Sequence, residues 1–256
     1  MTRDAHKTLS RLYVPAENLS GGEIIELSEG QHHYLRNVMR AEAGAQLRVF
    51  NGRNGEWLAS LTELSKKKAV VTLLEKIGEQ TASEDIWMLA SPIKKEAFDF
   101  MVEKSAELGA SQFFPVLCER TVVSRINRDR LQATANDAAE QCERLDIMQV
   151  SDLGDLEVLF ESWAPSRKLI FCLERGEAPP MAAALAKLPP DTPLAILIGP
   201  EGGFTEAEIA FIARQPFALP VSLGTRILKA ETAAVAALAI AAAAAFAIAQ
   251  SRAQSR

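Results

Sequence analysis

Two short segments of the 256-residue chain hold residue types able to grip and work on a ligand. The first is LAILIGPEGGFTEAEI, from Leu194 to Ile209. An apolar strand enters Gly199-Pro200-Glu201-Gly202-Gly203, and Thr205 with Glu208 three residues on forms the capping-box pattern that opens a helix. Gly202 and Gly203 let the backbone approach a ligand or take positive φ without a Cβ clash. The loop would lie at the carboxyl end of a strand, where open α/β sheets place ligands. The same glycines also suit a plain strand-to-helix turn, and composition alone leaves both readings open. Neither G-x-G-x-x-G nor G-x-x-x-x-G-K-[ST] occurs, which argues against the common dinucleotide and P-loop modes.

The second segment is LGTRILKAETAAVAALA, from Leu223 to Ala239. Arg226, Lys229, Glu231 and Thr232 crowd the start of the last helix, and Arg226 and Lys229, three apart, share a face. Cations at a helix N-terminus are disfavoured by ~0.3–1 kcal/mol each. Locally unfavourable choices concentrate at functional sites; a surface Arg–Glu–Lys network is the alternative. Metal chemistry has no support. His6, His32 and His33 have no ligand spacing, and Cys118, Cys142 and Cys172 stand apart without C-x-x-C. The cysteine pattern fits a reducing cytoplasm better than a disulfide framework.

The elements that must position these segments fall into two textures. Residues 1–80 read as a small β-rich domain. AQLRVFNGRNGEWLASLTEL alternates around Asn51-Gly52 and Asn54-Gly55, which is hairpin chemistry, and KKKAVVTLLEKI is a further strand. Only EGQHHYLRNVMRAEAG looks helical, with Leu35, Val38 and Met39 on one face and Gly44 as its stop. After the polar linker GEQTASED, residues 81–256 alternate strands with helices: WMLASPI, KKEAFDFMVEKSAELG, FFPVLCER, RDRLQATANDAAEQCER, KLIFCLE, LAILIG, LPVSLG. That order indicates an α/β domain with a mainly parallel sheet. With 48% apolar residues the chain can bury a real core, and a net charge of −5 excludes a polycationic nucleic-acid coat. The apolar run from Ala233 to Ala249 is mostly alanine, which partitions weakly into lipid, so it reads as a close-packed helix with no membrane role.

LIGPEGGFTEAEI together with LGTRILKAETAA closely resembles the two signature segments of the RsmE family. These are 16S ribosomal RNA methyltransferases acting on uracil N3, within the SPOUT superfamily. HHYLRNVMRAEAG resembles the family's N-terminal PUA-like motif, KKEAFDFMVEKSAELGASQFFPVLCER its K-x-x-E-L-G segment, and AAEQCER its E-Q-x-x-R segment. Lys229 stands where the family often has Arg, and Leu145-Asp146-Ile147-Met148 follows Arg144 where it usually has Pro.

The resemblance implies a trefoil-knotted SPOUT domain with a mainly parallel sheet behind a PUA-like barrel, and S-adenosylmethionine (AdoMet) as methyl donor without a metal. It places the cofactor in three loops: Leu173-Glu174; Ile198, Gly199, Pro200, Glu201, Gly202 and Gly203; and Leu223, Gly224, Ile227 and Leu228, with Thr232 beyond. Arg226 is the first candidate for stabilising the uracil anion and Lys229 the second, with Glu201 or Glu231 taking the proton. Arg11, Arg36, Arg40, Lys94, Arg120 and Arg144 are the candidate RNA contacts. A cytoplasmic homodimer acting on the small ribosomal subunit is implied, its last helix at the interface, where Ala237→Glu or Ala241→Glu would split it. A noncatalytic RNA-binding or assembly protein, or a SPOUT enzyme with another RNA acceptor, are the alternatives.

Overall fold

The computed structural model describes residues 6–174 and 177–254. By its internal contacts the chain divides between Ala82 and Ser83, and residues 139–147 belong with the first unit. That returning segment is absent from a division of the chain at residue 80.

The first unit holds β1 (Arg11–Tyr13), β2 (Ile24–Glu26), α1 (Glu29–His33), β3 (Gln46–Phe50), β4 (Glu56–Leu64) and β5 (Ala69–Gly78). The sheet order is β1-β3-β4-β5-β2, with β1 parallel to β3 and the other pairings antiparallel. The β3–β4 turn forms because Asn51 Oδ1 accepts the backbone N–H groups of Arg53 and Asn54, closing a side-chain-capped turn. Alternate strand residues Leu47, Val49, Leu61, Val71 and Leu73 point inward to one core with Leu12 and Leu35.

Three sequence expectations change here. The helix expected over residues 29–44 is shorter. It passes from α1 into a π-helical turn, Tyr34–Val38, and ends with Arg40 at φ 52°. The widened turn aims Leu35 into the core but leaves Val38 65% and Met39 39% exposed, so these three do not share a buried face. Arg11 and Arg144 also lie inside. Arg11 forms an ion pair with the fully buried Glu56 and donates to the Ala139 and Arg144 carbonyls. Its guanidinium sits 3.6 Å from the Phe50 ring centre. Arg144 pairs with Asp146 at 2.9 Å, its side chain 7% exposed. Asp146 thus holds the Arg144 side chain in place through both Nε and Nη2. Both arginines serve the fold of the unit.

Glu56 is flanked by Arg11 and by Arg48, whose Nη1 lies 3.7 Å away. Glu56→Ala leaves the buried Arg11 guanidinium without its carboxylate, while Arg48 keeps Glu143 at 2.8 Å. Chemical denaturation is expected to show a loss of about 3–5 kcal/mol; a loss under ~1 kcal/mol would mean that the charge reaches solvent.

The second unit begins with β6 (Ile86–Ala90), α2 (Lys95–Glu107), β7 (Gln112–Leu117), α3 (Arg128–Gln141, its last three residues belonging to the first unit), β8 (Gln149–Val150), β9 (Gly154–Asp155) and α4 (Leu156–Glu161). It continues with β10 (Lys168–Cys172), α5 (Met181–Leu185), β11 (Leu194–Ile198), α6 (Glu206–Ala213), β12 (Ala218–Val221) and α7 (Ala230–Gln254). All pairings are parallel, in the order β12-β10-β11-β6-β7-β8, with β9 also on β7. β11 is buried along its whole length because both faces are covered, as parallel sheets require. Ile196 and Ile198 pack with Met101, Val102 and Leu238, while Ala195 and Leu197 pack with Phe160, Trp163 and Phe217 on the other face.

The stretch Ala230–Ile248 is long and apolar enough to cross a membrane by composition, with a mean hydropathy of 2.0. In the fold α7 packs on α2, α5 and β11. Ala237 (0% exposed) and Ala241 (1%) are core residues of this subunit. A glutamate at either would break the unit itself, so neither position can report on an interface.

Candidate active site

β12, β10 and β11 are neighbours in the parallel sheet, so the loops that leave their carboxyl ends lie side by side. They wall a cavity of about 850 Å³. Every cofactor residue expected from the sequence lines it except Thr232, which is exposed on α7. Arg226, Lys229, Glu201 and Glu231 line it too, as do Lys94 and Arg120. The walls therefore alternate apolar groups (Ile198, Leu223, Ile227, Leu228) with carboxylates and cations.

The glycine loop is shaped by the ring that follows it. A Cβ on Gly199 would stand 2.8 Å from the Phe204 ring, which folds back across the loop and packs edge-on to Phe171 with centroids 5.0 Å apart. The Thr205 hydroxyl then accepts from Glu208 N–H, and the Glu208 carboxylate accepts from Thr205 N–H, which completes the capping box and starts α6. The third loop is anchored at Ser222, whose hydroxyl accepts Gly224 N–H at 3.2 Å. Beyond it, Arg226 and Lys229 are exposed and, among the described residues, have no side-chain hydrogen bond or ion pair. Two cations without side-chain partners thus stand on one cavity wall, the type of group that stabilises a developing anion.

Sequence reasoning missed Ala97, Cys172, Phe204, Ile209, Ala230 and Ala233, which also line the cavity. Phe204 had a signal, a large ring directly after two glycines; the alanines had none. Burial pushes the Cys172 thiol up to about 12, so it stays protonated at neutral pH and is no competing nucleophile. Arg120 donates to the Gly202 and Phe204 carbonyls. In the first unit, Arg36 donates to Ser65 O at 3.1 Å beside His32, and Arg40 is exposed. Arg36 and His32 thus reach the turn on which Lys66 and Lys67 are exposed. No group of three His, Cys, Asp or Glu placed to hold a metal occurs among the described residues.

Residues 80–242 match the family model of an RNA methyltransferase domain, and residues 27–74 that of an RNA methyltransferase PUA domain. The parallel sheet, the three-loop cavity and these matches define a SPOUT-type RNA methyltransferase with an N-terminal PUA domain. Ribosomal RNA small subunit methyltransferase E of Synechocystis sp. is 34% identical, covering 90% of this chain and 76% of that protein. The Bacillus subtilis protein of the same name is 30% identical, covering 88% of each. The Neisseria gonorrhoeae enzyme, solved bound to S-adenosyl methionine, superposes with a TM-score of 0.78 at 28% identity, covering 90% of this chain and 95% of that one. The chain belongs to the ribosomal RNA small subunit methyltransferase E family.

Proposed function

We propose that the protein methylates N3 of a specific uridine in 16S ribosomal RNA, with AdoMet as donor, as a cytoplasmic homodimer. The observation that carries this reading is the meeting of the glycine loop with the unpaired pair Arg226 and Lys229 on one cavity. The lining fits the cofactor: Ile198, Leu223, Ile227 and Leu228 suit an adenine face, and Glu174, Glu201 and Glu231 suit a cationic sulfonium and ammonium. When bound, AdoMet supplies an electrophilic methyl group.

Neutral uracil carries a proton on N3, so the chain must favour its loss. Glu201 and Glu231 are the carboxylates able to take that proton, and Arg226, then Lys229, stabilises the negative charge left on the uracil oxygens. N3 then forms its bond to the methyl carbon as the sulfur–carbon bond breaks. Lys94 on the cavity wall suits an RNA phosphate, and in the first unit Arg36 and Arg40 suit others. Mass mapping of 16S RNA from cells lacking the gene tests this. One uridine is expected to lose a single methyl group, and restoring the gene to return it; an unchanged methylation map points to a noncatalytic RNA-binding role.

The dimer reading rests on the outward side of α7. Thr232, Ala239, Ala243 and Phe246 are exposed at helical spacing, Phe246 63% so, and Ile227 of the cavity wall is 64% exposed. A second copy covering this stripe would bury both. Ala243→Glu is therefore expected to give a folded monomer by light scattering, because an unpaired carboxylate in an apolar interface is costly. A monomeric wild type at micromolar concentration removes the premise.

A further inference from the structure

Beyond β7 the chain makes a tight turn against the glycine loop. Thr121 N–H donates to Cys118 O at 3.0 Å, and Cys118 N–H donates to the Thr121 hydroxyl at 2.9 Å. This turn presents Glu119 and Arg120. Glu119 N–H donates to Glu208 Oε1 at 2.8 Å, while the other oxygen of that carboxylate accepts Thr205 N–H at 2.8 Å. Arg120 Nη1 donates to Gly202 O at 2.9 Å and reaches Phe204 O at 3.4 Å. On the far side of the same peptide, Gly203 N–H donates to Pro200 O at 2.9 Å. The Gly202–Gly203 peptide is thus held at both its oxygen and its nitrogen. Arg120 also takes up the space a side chain would need, since a Cβ on Gly202 would stand 3.3 Å from Arg120 Cβ.

We infer that Arg120 is a positioning residue for the cofactor loop, fixing the shape in which that loop receives AdoMet. The inference rests on reading the cavity as the AdoMet site. Two adjacent glycines have the largest backbone freedom a chain can have, and a ligand must overcome that freedom unless the loop is ordered beforehand. A guanidinium on the loop's carbonyls supplies that order from a separate segment, the turn that follows β7, a strand paired to β6 on one side and to β8 and β9 on the other. Lysine would keep the charge without the planar fork.

AdoMet calorimetry on wild type, Arg120→Ala and Arg120→Lys tests the inference, with ligand-free melting and salt-dependent RNA binding measured alongside. The alanine variant is expected to bind AdoMet about tenfold more weakly, the scale of one charged hydrogen bond at its lower limit. Its KM for AdoMet should rise with kcat nearly intact, the ligand-free melting temperature should hold, and lysine should recover part of the affinity. Unchanged AdoMet affinity, with weaker RNA binding and a salt slope reduced by about one, would make Arg120 a phosphate contact and overturn the inference. A large fall in ligand-free melting temperature would also overturn it, by making the arginine a general support of the fold. A wild type that fails to bind AdoMet overturns the cofactor reading itself, whereas binding by wild type with an unaffected alanine variant overturns this inference alone.

Discussion

Arg226→Ala is expected to lower the single-turnover rate of methyl transfer by ~10²–10³-fold while AdoMet affinity changes little. The asymmetry follows from what the side chain touches. Arg226 lies on the cavity wall, exposed and free of side-chain partners among the described residues, so its removal leaves no orphaned group and no packing defect. Its charge acts when negative charge builds on the uracil oxygens, and an interaction strengthened in the transition state appears in the chemical step. Raising the pH should return part of the lost rate, because uridine N3 then ionises with less help. Lys229, three residues on and equally exposed, bounds the effect. The double variant is expected to lose more than either single one. A different outcome is equally readable. If saturating RNA restores the single-turnover rate, and the defect grows with salt, Arg226 grips a phosphate and Lys229 is left as the anion-stabilising cation.

The site was more legible in the sequence than its supports. LIFC and LAILI are uninterrupted apolar runs, and that is the mark of strands covered on both faces, which places them at the centre of a parallel sheet. The glycine loop and its capping box sit directly after one of them, so loop, helix and cavity could be placed together. Reading an arginine from its sequence neighbourhood failed where the partner lay far along the chain. Arg11 meets Glu56, 45 residues on, and the carbonyls of residues 139 and 144; no local pattern reports such a meeting. The same limit hid the return of residues 139–147 to the first unit. The helix around Leu35 failed for another reason. A single π turn shifts the side-chain spacing, so a pattern that fits 3.6 residues per turn aims Val38 and Met39 at solvent. On α7 the alanines look alike, and only packing separates Ala237, in the core, from Ala243, facing out.

Gly203→Val is expected to weaken AdoMet binding by about 10–100-fold, and Gly203→Asn by only a few-fold. The contrast isolates the cause. From sequence alone, a valine in this loop would do harm by filling ligand space. The geometry assigns the harm to the backbone: Gly203 sits at φ +68°, and a Cβ there would meet nothing closer than Glu174 Oε2 at 3.6 Å, an ordinary contact. A β-branched residue does not hold that φ without strain, so valine would swing the peptide out and break the Gly203 N–H bond to Pro200 O. Arg120 would then lose the carbonyl of Gly202 that it holds. Asparagine carries comparable bulk but tolerates left-handed φ, so the loop keeps its shape. Calorimetry on the two folded variants decides the matter. Equal losses would mean that the added side chain collides with the cofactor. A severe loss confined to valine would mean that the loop works through a backbone conformation that glycine, and to a lesser degree asparagine, can hold.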